Sequence, residues 1–323
     1  MKQSKKPFWL LLLTVNLLAA AGAFWLFFSN HDFSENHKKN ACRIGVSYMT
    51  MNNEFYEIMG EEISARIEAE GDQMILRDPA LDEERQREQI SQMLTMGIDL
   101  LVVAPVNWES IAPLIEEAKE QGVKVVVVDT NVSNEELADC TITSDNYRAG
   151  AMVGEYFLTQ HDQARVIVMT HQAAKSGQDR VRGFLDTVEG REGIQIVGEI
   201  ECEGQLEIAM PRLQEAIEDG TEFDSVFCLN DLASVGAVAA LDAAGILDQV
   251  QVYGVDGSPD SKGLIKEGMM EATAAQFPSK LGREAAQVIY RLLEGEQTEK
   301  NMIVPVELIT RENVDDYGTG RWQ

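Results

Sequence analysis

The chain has 323 residues, 45% of them apolar, more than one compact core organises and too apolar for a disordered polymer, so two domains are expected. Its formal net charge is −27, from 54 acidic against 27 basic residues, with no cluster of lysine and arginine in the part that should fold. Such a surface repels phosphate backbones and excludes nucleic acid as a partner; the acidity reads as solvated outer helix faces.

At the N-terminus, Lys2, Lys5 and Lys6 precede an apolar run over residues 8–28, interrupted by Thr14, Asn16 and Gly22. As a helix, its 21 residues would rise about 30 Å, the hydrocarbon thickness of a bilayer. The leading lysines make residues 1–29 a cytoplasmic tip and transmembrane anchor and place the remainder outside; Lys38 and Lys39 oppose this only weakly. Cleavage could occur at Ala19-Ala20-Ala21 or Ala21-Gly22-Ala23. It would leave Phe24-Trp25-Leu26-Phe27-Phe28 as an apolar new terminus, whereas these aromatics suit the outer interface of a spanning helix. An uncleaved anchor in the cell membrane is therefore expected, with the binding domains extracytoplasmic. Cys42 lies too far beyond the run to be a lipid-attachment cysteine, and residues 30–42 read as a polar linker.

Beyond residue 42, short aliphatic runs alternate with longer helical patterns. The runs cover residues 44–48, 74–76, 98–103, 123–128, 166–169, 194–200, 225–229, 250–255 and 272–275. Most are continuously apolar, as parallel strands covered on both faces are. After the first run, Ile58, Ile63 and Ile67 alternate with Glu57, Glu61, Glu62, Arg66 and Glu68 in a helix that Gly71 stops. Later, Leu232, Val235, Val238 and Leu241 share one helical face that ends at Gly245. Strand–helix repetition of this kind builds doubly wound parallel sheets with right-handed crossovers. Nine strands are too many for one compact sheet, so two sheets are expected, with a ligand beyond the carboxyl ends of the strands.

The residues at those ends are unusual. Asn53, Phe55 and Tyr56 follow the first strand, Asp129 and Thr130 the fourth, and Ser144-Asp145-Asn146 stand at the next boundary. Arg180, Asn230-Asp231, Asp256 and Gln276 follow later strands. Carboxylates and amides with one guanidinium suit the hydroxyls of a neutral polyol, and Phe55 or Tyr56 could lie against the C–H face of a sugar ring. Each has a local alternative. Asn53, Asn230 and Asp256 could cap the helices that follow, Phe55 and Tyr56 could staple a helix to its sheet, and Arg180 could pair with Asp179 or Glu189. Trp108 could reach the cleft or pack locally, and His171 reads as a solvated loop histidine. Cys228 sits in an apolar run as a small buried hydrophobe, while Cys42, Cys140 and Cys202 could pair in an oxidising compartment. No Cys or His spacing fits a metal, so no cofactor is expected. No GxGxxG follows the first strand, and neither a P-loop nor a Gly-x-Ser-x-Gly motif occurs, which argues against an enzyme.

The order of Asn52-Asn53-Glu54-Phe55-Tyr56, Val127-Val128-Asp129, Ser144-Asp145-Asn146, Arg180-Val181-Arg182-Gly183-Phe184, Leu229-Asn230-Asp231, Val255-Asp256-Gly257-Ser258-Pro259-Asp260 and Ala275-Gln276-Phe277-Pro278 resembles the ribose-binding type of periplasmic binding protein, related to the ligand domain of the lac repressor family. The resemblance runs from about Arg43 to Thr310. It implies two Rossmann-like lobes, residues 43–144 plus 277–304 and residues 145–276 plus 305–323, joined by three crossovers near Ser144, Gln276 and Pro305. By the same resemblance, Asn53, Phe55, Tyr56, Asp129, Arg180, Asn230, Asp256 and Gln276 would contact a sugar. Thr130 stands where the ribose binder has an arginine, and the aromatic expected near residues 201–206 is missing, so the resemblance implies a sugar without singling out ribose. The implied function is capture of a small monosaccharide or related polyol by hinge closure and its presentation to an ABC permease. Alternatively, the chain is a sensing subunit that reports to a membrane histidine kinase, which the spanning helix without a lipid-attachment cysteine favours. A repressor is excluded, because a membrane helix and no helix-turn-helix precedes the core.

Overall fold

The computed structural model describes residues 41–323; the expected anchor and most of the linker lie outside them. Among the described residues no helix is long and apolar enough to cross a membrane. The elements run β1 (Arg43–Ser47), α1 (Glu54–Glu70), β2 (Gln73–Arg77), α2 (Glu83–Thr95), β3 (Leu100–Val103), α3 (Ala112–Glu120), β4 (Lys124–Asp129), β5 (Cys140–Ser144) and α4 (Asn146–Gln160). They continue β6 (Ala164–Thr170), α5 (Lys175–Val188), β7 (Ile194–Glu201), α6 (Leu206–Glu218), β8 (Ser225–Cys228), α7 (Asp231–Ala244), β9 (Gln251–Asp256), α8 (Pro259–Glu267) and β10 (Ala272–Ala275). The chain finishes with α9 (Pro278–Leu293), β11 (Asn301–Val304), β12 (Glu307–Thr310) and α10 (Val314–Tyr317).

Two six-stranded sheets result, in the orders β11-β5-β4-β3-β1-β2 and β12-β10-β9-β8-β6-β7. The first is parallel throughout. In the second, β12 runs antiparallel to β10 and departs from the all-parallel expectation. Twelve strands rather than nine are present among the described residues. The three that the apolar runs did not mark are β5, β11 and β12. In β5 the sequence Cys-Thr-Ile-Thr-Ser is wholly buried although three of its five side chains carry hydroxyls. β11 and β12 are four-residue edge strands that open on exposed Asn301 and Glu307, and each holds at most three consecutive apolar residues.

The continuous runs have the cause expected of them. Leu100 and Val102 join Met59, Ile63, Leu281, Ala285 and Ile289 under α1 and α9 on one face of the first sheet. Leu101 and Val103 join Ile90, Met93, Ile115 and Ala118 under α2 and α3 on the other. Both faces are covered, so successive residues are buried alike. The second sheet has its own core around Val166, Val168, Phe184, Phe227, Val252 and Leu241. Helix α1 stops where expected, at Gly71. Helix α7 also ends as expected, with Gly245 at φ 69, a left-handed conformation that glycine adopts without a Cβ clash. Of its expected face Val238 and Leu241 are buried but Leu232 and Val235 are half-exposed, and Ala233, Gly236, Ala237 and Ala240 are buried as well. A Cβ on Gly236 would lie 3.0 Å from both Ala209 Cβ and the Leu206 carbonyl of α6, so close helix contact selects small residues there. Cys140, Cys202 and Cys228 are buried thiols without disulfides, and burial pushes the first two up to about 11 and about 12.

Candidate ligand-binding site

The carboxyl ends of both sheets meet around one cavity of about 50 Å³, room for a few water-sized spheres at roughly 10–15 Å³ each. The first sheet contributes the turn after β1 and the start of α1. Asn53 caps that helix, its Oδ1 accepting from Phe55 N at 3.0 Å. This fixes Phe55 and Tyr56 in the first turn, where Tyr56 stacks on Tyr48 at 5.4 Å and meets Phe55 edge to face. Tyr56 donates its hydroxyl to Asp129 Oδ2 at 2.8 Å. Asp129 ends β4 with φ 68, a region most side chains avoid and one that recurs at functional sites.

The second sheet supplies a mirrored arrangement. Asp256 ends β9 with φ 138, and its Oδ1 accepts from Arg180 at 3.1 Å and from Gln276 Nε2 at 2.6 Å. Arg180 lies on α5, which packs against α4 so closely that a Cβ on Gly150 would fall 1.8 Å from the Arg180 carbonyl and one on Gly183 2.0 Å from the Tyr147 carbonyl. Two glycines therefore set the depth at which the guanidinium sits. Its Nε donates to Asn146 Oδ1 at 2.8 Å and another nitrogen to the Leu229 carbonyl at 3.2 Å. Asn230 caps α7 through Oδ1, and its amide nitrogen donates to the Gly204 carbonyl at 2.9 Å. Gln276 lines the cavity, and its Oε1 is buried without a protein hydrogen-bond partner.

Of the residues singled out from sequence, the structure brings Asn53, Phe55, Tyr56, Asp129, Arg180, Asn230, Asp256 and Gln276 to this one cavity. Thr130 is buried but does not line it. Its hydroxyl accepts from Ser176 N at 3.0 Å and ties the end of β4 to the start of α5. Arg180 pairs with Asp256, and Asp179 is taken instead by Lys175 and Arg182. Trp108 remains outside the cavity, its backbone N–H bonded to the Ala173 carbonyl. His171 is not solvated as expected: it is buried and lines the cavity, and burial lowers its pKa.

Ser176, Glu203 and Gln205 carried no sequence signal of their own, whereas Asn146 and Asp231 stood in the strand-end motifs without an assigned role. Ser176 and Gln205 line the cavity from elements of the second sheet, and so does Glu203 at φ 52, in the region where an aromatic was expected. Asn146 holds Arg180 and donates to the Asp129 carbonyl at 3.5 Å. Asp231 lies behind Asp256, accepting from Thr273 at 2.7 Å and from Ser258 N at 2.7 Å. Burial pushes the carboxyls of Asp129, Asp231 and Asp256 upward, with Asp256 adding to the effect on Asp231. Arg180 opposes the rise at Asp129 and Asp256. Among the described residues no group of acidic, His or Cys side chains is placed to hold a metal ion.

The sequence matches the periplasmic binding protein domain over residues 44–297. The chain belongs to that family. Its binding-protein relatives include the ribose import binding protein of Bacillus subtilis, 24% identical over 280 residues, which are 86% of this chain and 90% of the relative. The D-ribose/D-allose-binding protein of Pseudomonas aeruginosa is 28% identical over 284 residues, 83% of this chain and 88% of the relative. Among solved structures, an ABC transporter solute-binding protein from Mycobacterium smegmatis with bound glycerol has a TM-score of 0.82 at 27% identity, covering 88% of this chain and 99% of that one. The Caulobacter myo-inositol binding protein bound to myo-inositol has a TM-score of 0.80 at 26% identity, covering 86% and 96%. The family fold is the two-lobed α/β arrangement with parallel sheets described above.

Proposed function

We propose that the protein captures a small sugar or related polyol outside the cytoplasm, between two lobes that close on it. The observation that carries this reading is the single cavity fed by the strand ends of both sheets, with Asp129 and the aromatic pair from one and Arg180, Asn230, Asp256 and Gln276 from the other. A polyol offers hydroxyl donors to the two carboxylates and to Gln276 Oε1, and a C–H face to Phe55 or Tyr56. Relatives named for ribose, D-allose and myo-inositol, and a neighbour holding glycerol, support the same ligand class. In this reading the lobes are residues 43–144 plus 277–304 and residues 145–276 plus 305–323, and the hinge lies near Ser144, Gln276 and Pro305.

The closed form would present the ligand to the permease of an ABC importer. A second reading, a sugar-sensing subunit of a membrane histidine kinase, is favoured by the apolar run over residues 8–28 with no lipid-attachment cysteine beside it. Thermal-shift and calorimetric titration with D-ribose, D-allose, D-xylose, myo-inositol and glycerol tests capture, because a ligand that binds only the folded state raises its apparent stability. No response to any of them would overturn the polyol assignment. Co-purification from membranes separates the two readings: permease subunits support uptake and a kinase supports sensing.

A further inference from the structure

The segment that follows α10 is held against the cavity from behind. Lys262, on α8 and wholly buried, donates to the Arg321 carbonyl at 2.6 Å and to Gln323 Oε1 at 2.9 Å. Gln323 Nε2 in turn donates to the backbone carbonyls of Asp256 at 3.2 Å and Gln276 at 2.7 Å. These are the strand-end acceptors of two cavity residues, and one amide satisfies both. Trp322, between them, reaches toward the first sheet. Its ring meets Phe55 edge to face at 5.8 Å, and its Nε1–H donates to Glu54 Oε2 at 2.8 Å.

The backbone is shaped to admit this segment. Gly257 has φ 75, and a Cβ there would lie 2.5 Å from Gln323 Nε2 and 2.7 Å from Ala275 Cβ. Only a residue without a side chain lets the Gln323 amide reach the Asp256 carbonyl.

We infer that Trp322 and Gln323 are positioning residues of the ligand cavity. Gln323 fixes the peptide planes that carry Asp256 and Gln276, and Trp322 fixes the Phe55 ring. Lys262 clamps the segment to the second sheet while Trp322 grips the first, so the segment also holds the two halves of the cavity in register. The binding part of this inference rests on the cavity being the polyol site; the positioning part does not.

Hydrogen exchange on the full chain, read by mass spectrometry, separates the two. In Trp322→Ala the amides of Phe55 and Tyr56, and in Gln323→Ala those of Gly257 and Gln276, should exchange about tenfold faster, with β3 and β8 unchanged. Trp322→Phe, which keeps an aromatic edge against Phe55, should return most of the protection. For whichever of D-ribose, D-allose, D-xylose, myo-inositol or glycerol the wild type binds, dissociation should quicken about tenfold in the alanine variants. Wild-type exchange at these amides overturns the inference, and so does acceleration spread evenly through both sheets. Unchanged dissociation beside faster local exchange overturns the link to binding. A wild type that binds none of the five compounds named above sinks the polyol reading and leaves the exchange result to decide positioning.

Discussion

Asp129 and Asp256 are the two side chains on which binding should depend most, and their surroundings predict different losses. Truncating Asp129 removes an acceptor from the ligand and from the Tyr56 hydroxyl. Each unmet buried group costs about 1–3 kcal/mol, so Asp129→Ala should weaken binding by about tenfold to over a hundredfold by calorimetry, with a modest loss of stability. Truncating Asp256 also leaves Arg180 buried without its partner, since both side chains are almost fully covered. Asp256→Ala should therefore lose about 3–5 kcal/mol of folding stability as well as affinity. Equal melting temperatures for the two variants would count against the pairing. The carboxyl cluster also sets a pH dependence. Asp129, Asp231 and Asp256 have folded pKa values raised by burial, so the folded state holds protons that the unfolded chain has released. Their contribution is fully present below about pH 4 and is lost as pH rises through the raised values. The ligand-free protein should melt higher at pH 5 than at pH 8, and Asp231→Asn should flatten that slope by several degrees, at about 2–4 °C per kcal/mol. Identical slopes would show that Asp231 titrates as it does in the unfolded chain.

At the scale of elements, the closest packing in the site's support lies between α4 and α5. A side chain at Gly183 would need space that the Tyr147 carbonyl occupies, 2.0 Å away. Gly183→Val should force the helices apart, withdraw Arg180 from Asp256, and reduce ligand affinity more than tenfold along with a stability loss of about 1–3 kcal/mol. An affinity within twofold of wild type would show that Arg180 is placed by other contacts. Much of this level was readable beforehand. The buried parallel strands show as unbroken aliphatic runs, and the site residues show as polar interruptions at their ends. What escaped was written in side-chain context rather than in pattern. The hydroxyls of Thr141, Thr143 and Ser144 hide a buried inner strand, and β11 and β12 are short edge strands that open on exposed Asn301 and Glu307. His171 looks like an ordinary loop residue until neighbouring strands enclose it, and Asn146 and Asp231 show in the strand-end motifs without the partners that give them a role. The left-handed backbone at Asp129 and Asp256 has no sequence mark at all, because a non-glycine residue there is held by its surroundings.

At the scale of the molecule, the loops of the two sheets touch directly. Ser176 bonds Thr130, Trp108 bonds Ala173, and Asn146 spans from Arg180 to Asp129. A ligand shifts an open–closed equilibrium only by contacts that exist when the lobes meet, and contacts drawn from both sheets meet that condition. Small-angle scattering of residues 41–323 with a ligand of measured affinity should give a radius of gyration near 19 Å, the value for a compact chain of this size, and a larger one without ligand. Equal radii would argue for a preclosed pocket.

The order of strands also bears on how the chain is made. Residues 278–304 supply α9 and β11 to the first sheet, yet they follow every strand of the second sheet except β12. While the chain emerges N-terminus first, Ile63, Val128 and Ile142 lack the cover of Leu281, Ala285 and Ile289, and β5 lacks its outer neighbour. The earlier-made half is thus the later one to consolidate. A chain arrested at residue 276 should lose residues 43–144 to protease before residues 145–276, reversing the order of synthesis.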